Sequence, residues 1–178
     1  MREYAADREK ADRHLDQVRK IVGPVLLRPA PDYHDRHENT DLLAVDGRVS
    51  VRIREHGYFA KYAHDITFRF ARSSGVETEH SKMINGFGRY DFYGHENVDG
   101  TTVEHWMLLD LNRFRGALIK EASMPEPLRM KFTIRDNHDG TTSFIAYDIR
   151  TFPKGILLLV SDEIADILRD LPQYKRSA

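Results

Sequence analysis

The sequence contains no cysteine, which removes disulfides, thiolate nucleophiles and cysteine-ligated zinc or iron–sulfur sites together. Long apolar runs are missing as well. The longest, GILLLV at 155–160, falls far short of the roughly 20 residues that span a bilayer, so no membrane partner is expected. The opening stretch MREYAADREKADRHLD is too charged for a secretory signal, and a cytoplasmic setting is the expectation. Nor is there an excess of charge of one sign: 27 Lys and Arg face 28 Asp and Glu, leaving −1. No global positive field therefore draws the chain onto nucleic acid, and any such binding must come from a local patch. Several chemical signatures are absent in turn. There is no G-x-x-x-x-G-K-[ST] phosphate loop, no H-E-x-x-H zinc helix and no G-x-S-x-G nucleophile elbow, and NGFGRYDFYG lacks dinucleotide-site glycine spacing. No repeat of ~20–50 residues suggests a solenoid or propeller.

What remains is an ordinary globular composition, 40% hydrophobic, 10% aromatic and 31% charged, in 178 residues, enough for one domain. Ala11, Leu15, Val18 and Val22 recur at spacings of three and four and predict a helix over 6–22, ended by Gly23-Pro24. PAPDYHDRHENT at 29–40 reads as a surface loop. Asp46-Gly47 between two β-prone runs predicts a hairpin; in its second strand Val49, Val51 and Ile53 share one face and Ser50, Arg52 and Arg54 the other. DITFRF alternates in the same way. A short helix is predicted from Thr78 to Asn85, closed by Gly86. RYDFYGH and VEHWMLLDL read as strands about the turn NVDGTT, followed by a helix capped by Asp110 or Asn112. A further hairpin turns about Asp139-Gly140, and Ser161 starts a C-terminal helix with Ile164, Ile167, Leu168 and Leu171 inward. The fold class is α/β or α+β, a single domain with a central mixed sheet flanked by helices.

The paired arginines of VSVRIR carry the most chemical information, because guanidinium groups on a strand face need carboxylates, phosphate or solvent. Two readings stand. One is the solvated polar side of an antiparallel sheet. The other makes Arg52, Arg54 and Arg69 a clamp for phosphate or carboxylate, using the fork geometry of the guanidinium.

The helix, the strand opened by Asp41, the second strand with polar residues at i and i+2, and the later helix and strand resemble the PD-(D/E)XK nuclease superfamily over roughly residues 6–115. The resemblance implies a restriction-endonuclease-like core acting on nucleic acid, in a chain similar in size to phage and mobile-element proteins. It places Asp41 as the first metal-binding acid, Arg52 where a second acid stands, and Arg54 where the Lys stands. A guanidinium cannot ligate a metal. Some members carry the acid or the Lys on a neighbouring helix, which makes Glu79 and Lys82 of TEHSK the substitutes, with Glu77 as an alternative to Glu79. The implied metal ligands are then Asp41, Glu79 and Asp65, the implied ion Mg²⁺ or Mn²⁺, and the implied catalytic set Asp41, Arg54, Glu79 and Lys82. If the acidic site is complete, phosphodiester hydrolysis follows; otherwise the same fold is a binding module that docks nucleic acid or an acidic protein partner through its arginine-rich face.

Two other groups of residues carry alternatives. His34, His37 and His64 match no defined ligand spacing, so a solvated acidic and imidazole-rich loop is the simpler reading. Tyr58, Phe59, Tyr62, Phe87, Tyr90, Phe92, Tyr93 and Trp106 suit either stacking on unpaired bases or, more simply, packing in a sheet.

Overall fold

The computed structural model describes residues 2–29, 42–44, 47–126, 129–137 and 140–174. Helix α1 (Arg2–Leu26) buries Val18 and Val22, with Ile21, Val25 and Leu26 packed alongside. It does not stop at Gly23-Pro24 as the sequence suggests. Pro24 lies inside its last turn, where a proline forfeits one hydrogen bond close to the end, and the burial of Val25 and Leu26 offsets that loss.

Against α1 lies a four-stranded sheet made of β3 (Val49–Arg54), β5 (Tyr90–Glu96), β6 (Val103–Asp110) and β9 (Leu157–Val160), in the order β3-β5-β6-β9. Strand β3 runs parallel to β5, and the other pairs are antiparallel. This corrects the hairpin expected at Asp46-Gly47. The short strand β2 (Leu42–Ala44) pairs instead with β1 (Leu27–Pro29), and β3 is drawn to β5. The Arg48 carbonyl accepts from the N–H groups of both Arg89 and Tyr90, which fixes the parallel register at its start. Val49, Val51 and Ile53 then face α1 as their alternation requires. The hairpin at NVDGTT forms as expected, with Gly100 at φ +69 and the Asn97 side chain accepting from the N–H groups of Thr101 and Thr102.

A second, three-stranded antiparallel sheet has the order β4-β8-β7, from β4 (Asp65–Arg72), β7 (Phe132–Asp136) and β8 (Thr142–Asp148). The β7–β8 hairpin is the one expected about Asp139-Gly140, although Asp139 lies outside the described residues. Ile66, Phe68, Tyr93, Met107, Leu109, Tyr147 and Ile149 belong to one buried core shared by the two sheets. Helix α4 (Leu111–Glu121) adds Phe114, and α5 (Asp162–Arg169) adds Ile164 and Leu168. Asp110 caps α4 by accepting from the N–H groups of Asn112 and Arg113 at 2.9 and 3.1 Å. Ser161 sits at the start of α5, but its hydroxyl accepts from Trp106 N–H rather than from the helix. The chain is thus an α+β domain of the expected class, with a mixed four-stranded sheet and a three-stranded antiparallel sheet flanked by helices, and β1 and β2 forming a separate antiparallel pair. No helix among the described residues is long and apolar enough to cross a membrane.

Two short helices complete the frame. α2 (Tyr58–Tyr62), which the strand pattern did not reveal, lies between β3 and β4. α3 (Glu79–Ile84) follows β4, with Thr78 accepting from Ser81 N–H as its cap.

Candidate anion-binding cleft

Parallel register sets the site. Ser50, Arg52 and Arg54 on β3 lie opposite Asp91, Tyr93 and His95 on β5, so two polar rows share the face turned away from α1. Both β3 and β4 are edge strands, and successive in the chain, yet they do not pair with each other. Side chains join them instead. The Thr67 carbonyl on β4 accepts from Arg52 Nη1 at 3.2 Å and from Arg54 Nη2 at 3.3 Å. The Arg69 N–H donates to Glu79 Oε2 at 3.0 Å, and Glu79 Oε2 also forms an ion pair with Arg52 Nη1. Backbone groups of an edge strand, which otherwise invite another strand, are in this way satisfied from within.

Arg52 is the structural half of the arginine pair. Its side chain is 15% exposed, and its guanidinium lies 5.0 Å above the Phe68 ring. Burial opposes its charge, but Glu79 and Asp91 outweigh burial and raise its pKa. Burial pulls the Glu79 carboxyl up in the same way, yet Arg52 and the Arg69 N–H hold it down at about 2. Asp91, almost wholly buried and hydrogen-bonded by the Ser50 hydroxyl, is pushed up by burial against the pull of Arg52.

Arg54 is held differently. Its Nε donates to Tyr93 Oη at 3.2 Å and its Nη2 to Thr67 Oγ1 at 2.7 Å, while Thr67 Oγ1 and Tyr93 Oη lie 3.0 Å apart. No carboxylate among the described residues is within ion-pair distance of it. His95 beside it is 1% exposed, and burial, followed by the charges of His105 and Arg54, lowers its pKa to about 4. At neutral pH it is therefore an uncharged ring.

These groups border a cavity of about 450 Å³ that Tyr58, Tyr62, Arg69 and Arg135 also line. Arg52, Arg54, Arg69, Asp65 and Glu79, singled out from the sequence, all reach it. Burial raises the Asp65 pKa, with Arg135 opposing. Lys82 is exposed on α3 and is not part of the cavity wall. Glu77 is also exposed and accepts from the Asn85 side chain at 3.1 Å. Asp41, His34 and His37 lie outside the described residues. Among the described residues, no three His, Asp or Glu side chains are grouped to hold a metal ion. The acids described here do not by themselves make the Mg²⁺ or Mn²⁺ site that the resemblance implied.

The polar face of β3 is not the solvated sheet side that one reading allowed; it is one wall of a cleft. Most of the aromatic residues settle into packing: Tyr90, Phe92 and Tyr93 are buried, and Trp106 stacks on Phe92 at 5.9 Å. Thr67, Asp91, His95 and Arg135 are site residues that the sequence reading does not name. Two of them are detectable, because period-two alternation in RYDFYGH places Asp91 and His95 on one face with Tyr93. No family model, no curated protein and no solved structure matches this chain.

Proposed function

We propose that this chain is a divergent nuclease-like protein that binds nucleic acid through its phosphodiester backbone. The observation that carries the reading is Arg54, a cation fixed in a cleft by Thr67 and Tyr93 with no ion-paired carboxylate among the described residues. A positioned guanidinium with no carboxylate ion-paired to it among the described residues suits an external anion, and its fork matches phosphate oxygens. Arg69 and Arg135 border the same cavity, with Asp65 and Asp136 beside them. Arg52, neutralised by Glu79, supports the architecture instead. A recessed cleft of this size admits a strand of phosphate units more readily than the flat surface of an acidic protein.

The test is fluorescence anisotropy of a labelled oligonucleotide over a salt series. Binding that weakens linearly in log–log form with salt, and is weaker in Arg54→Met, is the expected outcome. Absence of binding even at low salt would sink the proposal.

Metal-dependent hydrolysis is the second reading, favoured by one observation: Glu79 is held ionised beside the cleft, and both of its described contacts end on Oε2. It requires Asp41 to join Glu79 and Asp65 around Mg²⁺ or Mn²⁺, oxygen ligands suited to a hard cation. A melting temperature raised by Mg²⁺ in the parent chain but not in Asp41→Asn, together with cutting of bound DNA, would establish it. Bound but uncut DNA leaves the chain a binding module.

A further inference from the structure

Two large aromatic side chains stand exposed at the cleft that holds Arg54: Tyr58 is 51% and Tyr62 36% exposed. Both belong to α2, and their rings lie 6.1 Å apart, inclined at 33°. Arg135 covers Tyr62 at 5.6 Å from the ring centre, whereas no cation is stacked on Tyr58 among the described residues. At Tyr58 about half of the surface stays in water, so packing uses only part of the side chain. A pair one helical turn apart supports a short helix to a modest extent, but that does not require the pair to border an arginine-lined cavity.

The geometry points to single-stranded nucleic acid as the occupant, with an unpaired base stacked on Tyr58 while its phosphate meets Arg54; this rests on the nucleic-acid reading above. Rings beside arginines are the means by which proteins hold unpaired bases, because every base offers a π-face whatever its sequence. Size argues in the same direction. A cavity of about 450 Å³ falls among small-molecule pockets and has room for a nucleotide. A duplex keeps its base faces stacked inside, so the Tyr58 ring cannot reach them without unpairing.

The experiment is a competition against labelled oligothymidylate bound to the whole chain, with an abasic strand of equal length, a duplex and thymidine monophosphate as competitors. The abasic strand and the duplex should compete roughly tenfold more weakly than unlabelled oligothymidylate, the size of one lost base–ring stack. Tyr58→Leu, a change at an exposed position, should weaken oligothymidylate by a similar factor, leave the abasic strand unaffected and be rescued by Tyr58→Trp. Equal competition by the abasic strand, or an unchanged affinity in Tyr58→Leu, would overturn the base-stacking assignment while the phosphate reading stands. Thymidine monophosphate binding as tightly as the strand would overturn the strand and make a free nucleotide the occupant. If no oligonucleotide binds, the nucleic-acid reading itself falls.

Discussion

Arg52 and Glu79, 27 positions apart, form a part-buried ion pair that ties the edge strand of one sheet to the helix lying over the edge of the other. Neither residue is isolated, since Thr67 and Arg69 contribute backbone partners to the same cluster. Replacing one partner leaves the other charged and poorly solvated, whereas replacing both removes the problem. Arg52→Met should therefore cost about 3 kcal/mol in urea denaturation, Glu79→Gln about 1–2 kcal/mol, and the double variant less than the sum. Strict additivity would show that the pair does not couple the sheets.

Acid should weaken the fold in two separate windows. His95 has its pKa lowered from 6.5 to about 4, so the folded state binds its proton less readily than the unfolded chain does. That contribution is complete above pH 6.5 and is lost as pH falls toward 4, on the order of 3 kcal/mol for a buried ring. Glu79, lowered from 4.5 to about 2, contributes above pH 4.5 and loses its part only below that. Because its side chain is 38% exposed, about 1 kcal/mol is the appropriate size. Chemical denaturation from pH 7 downward should show the first loss reduced in His95→Phe, with the remainder from His80, and the second reduced in Glu79→Gln, with the remainder from Asp148. A first loss that persists undiminished in His95→Phe would assign it elsewhere.

Arg54→Met and Arg69→Met should separate position from charge in nucleic-acid binding. Each phosphate contact removed lowers the slope of log affinity against log salt by about 1. Arg54→Lys keeps the charge but not the fork, and is expected to retain the slope while losing affinity. Anisotropy at several salt concentrations reads both quantities, and an unchanged slope in Arg54→Met would show that this guanidinium never meets phosphate.

Gly94 tests the packing beneath the site. A Cβ there would come within 2.5 Å of Val103 Cγ1, 3.2 Å of Phe92 Cε1 and 3.3 Å of Ile53 Cδ1. Gly94→Ala should thus destabilise the chain by about 1–3 kcal/mol despite the usual benefit of alanine over glycine. A thermal scan with an unchanged or higher melting temperature would contradict the tight approach of β3, β5 and β6 side chains at this point.

Local pattern made most of the elements legible, and pairing made the rest obscure. The alternation of Val49, Val51 and Ile53 against Arg52 and Arg54 is a property of one strand and is present in the sequence, as are the Thr78 and Asp110 caps. The partner of β3 is not: Asp46-Gly47 argues for a hairpin, while the Arg48 carbonyl shared by Arg89 and Tyr90 lies some forty positions away in its consequences. Among the site residues, Arg52, Arg54 and Arg69 were visible because charge on strand faces needs an explanation, whereas Asp65 and Glu79 were reached only through the resemblance. Their division of labour was not visible, because it depends on which guanidinium the α3 carboxylate reaches.

The side chains that occupy the Thr67 carbonyl and the Arg69 N–H also decide how the protein behaves in company. A strand whose outward groups at Thr67 and Arg69 are already taken offers a poor template to a neighbouring copy, so the molecule carries a built-in stopper against growth of its three-stranded sheet through β4. Loss of Arg52 or Glu79 would uncork that edge, and the first sign of damage would be self-association of molecules that are still folded.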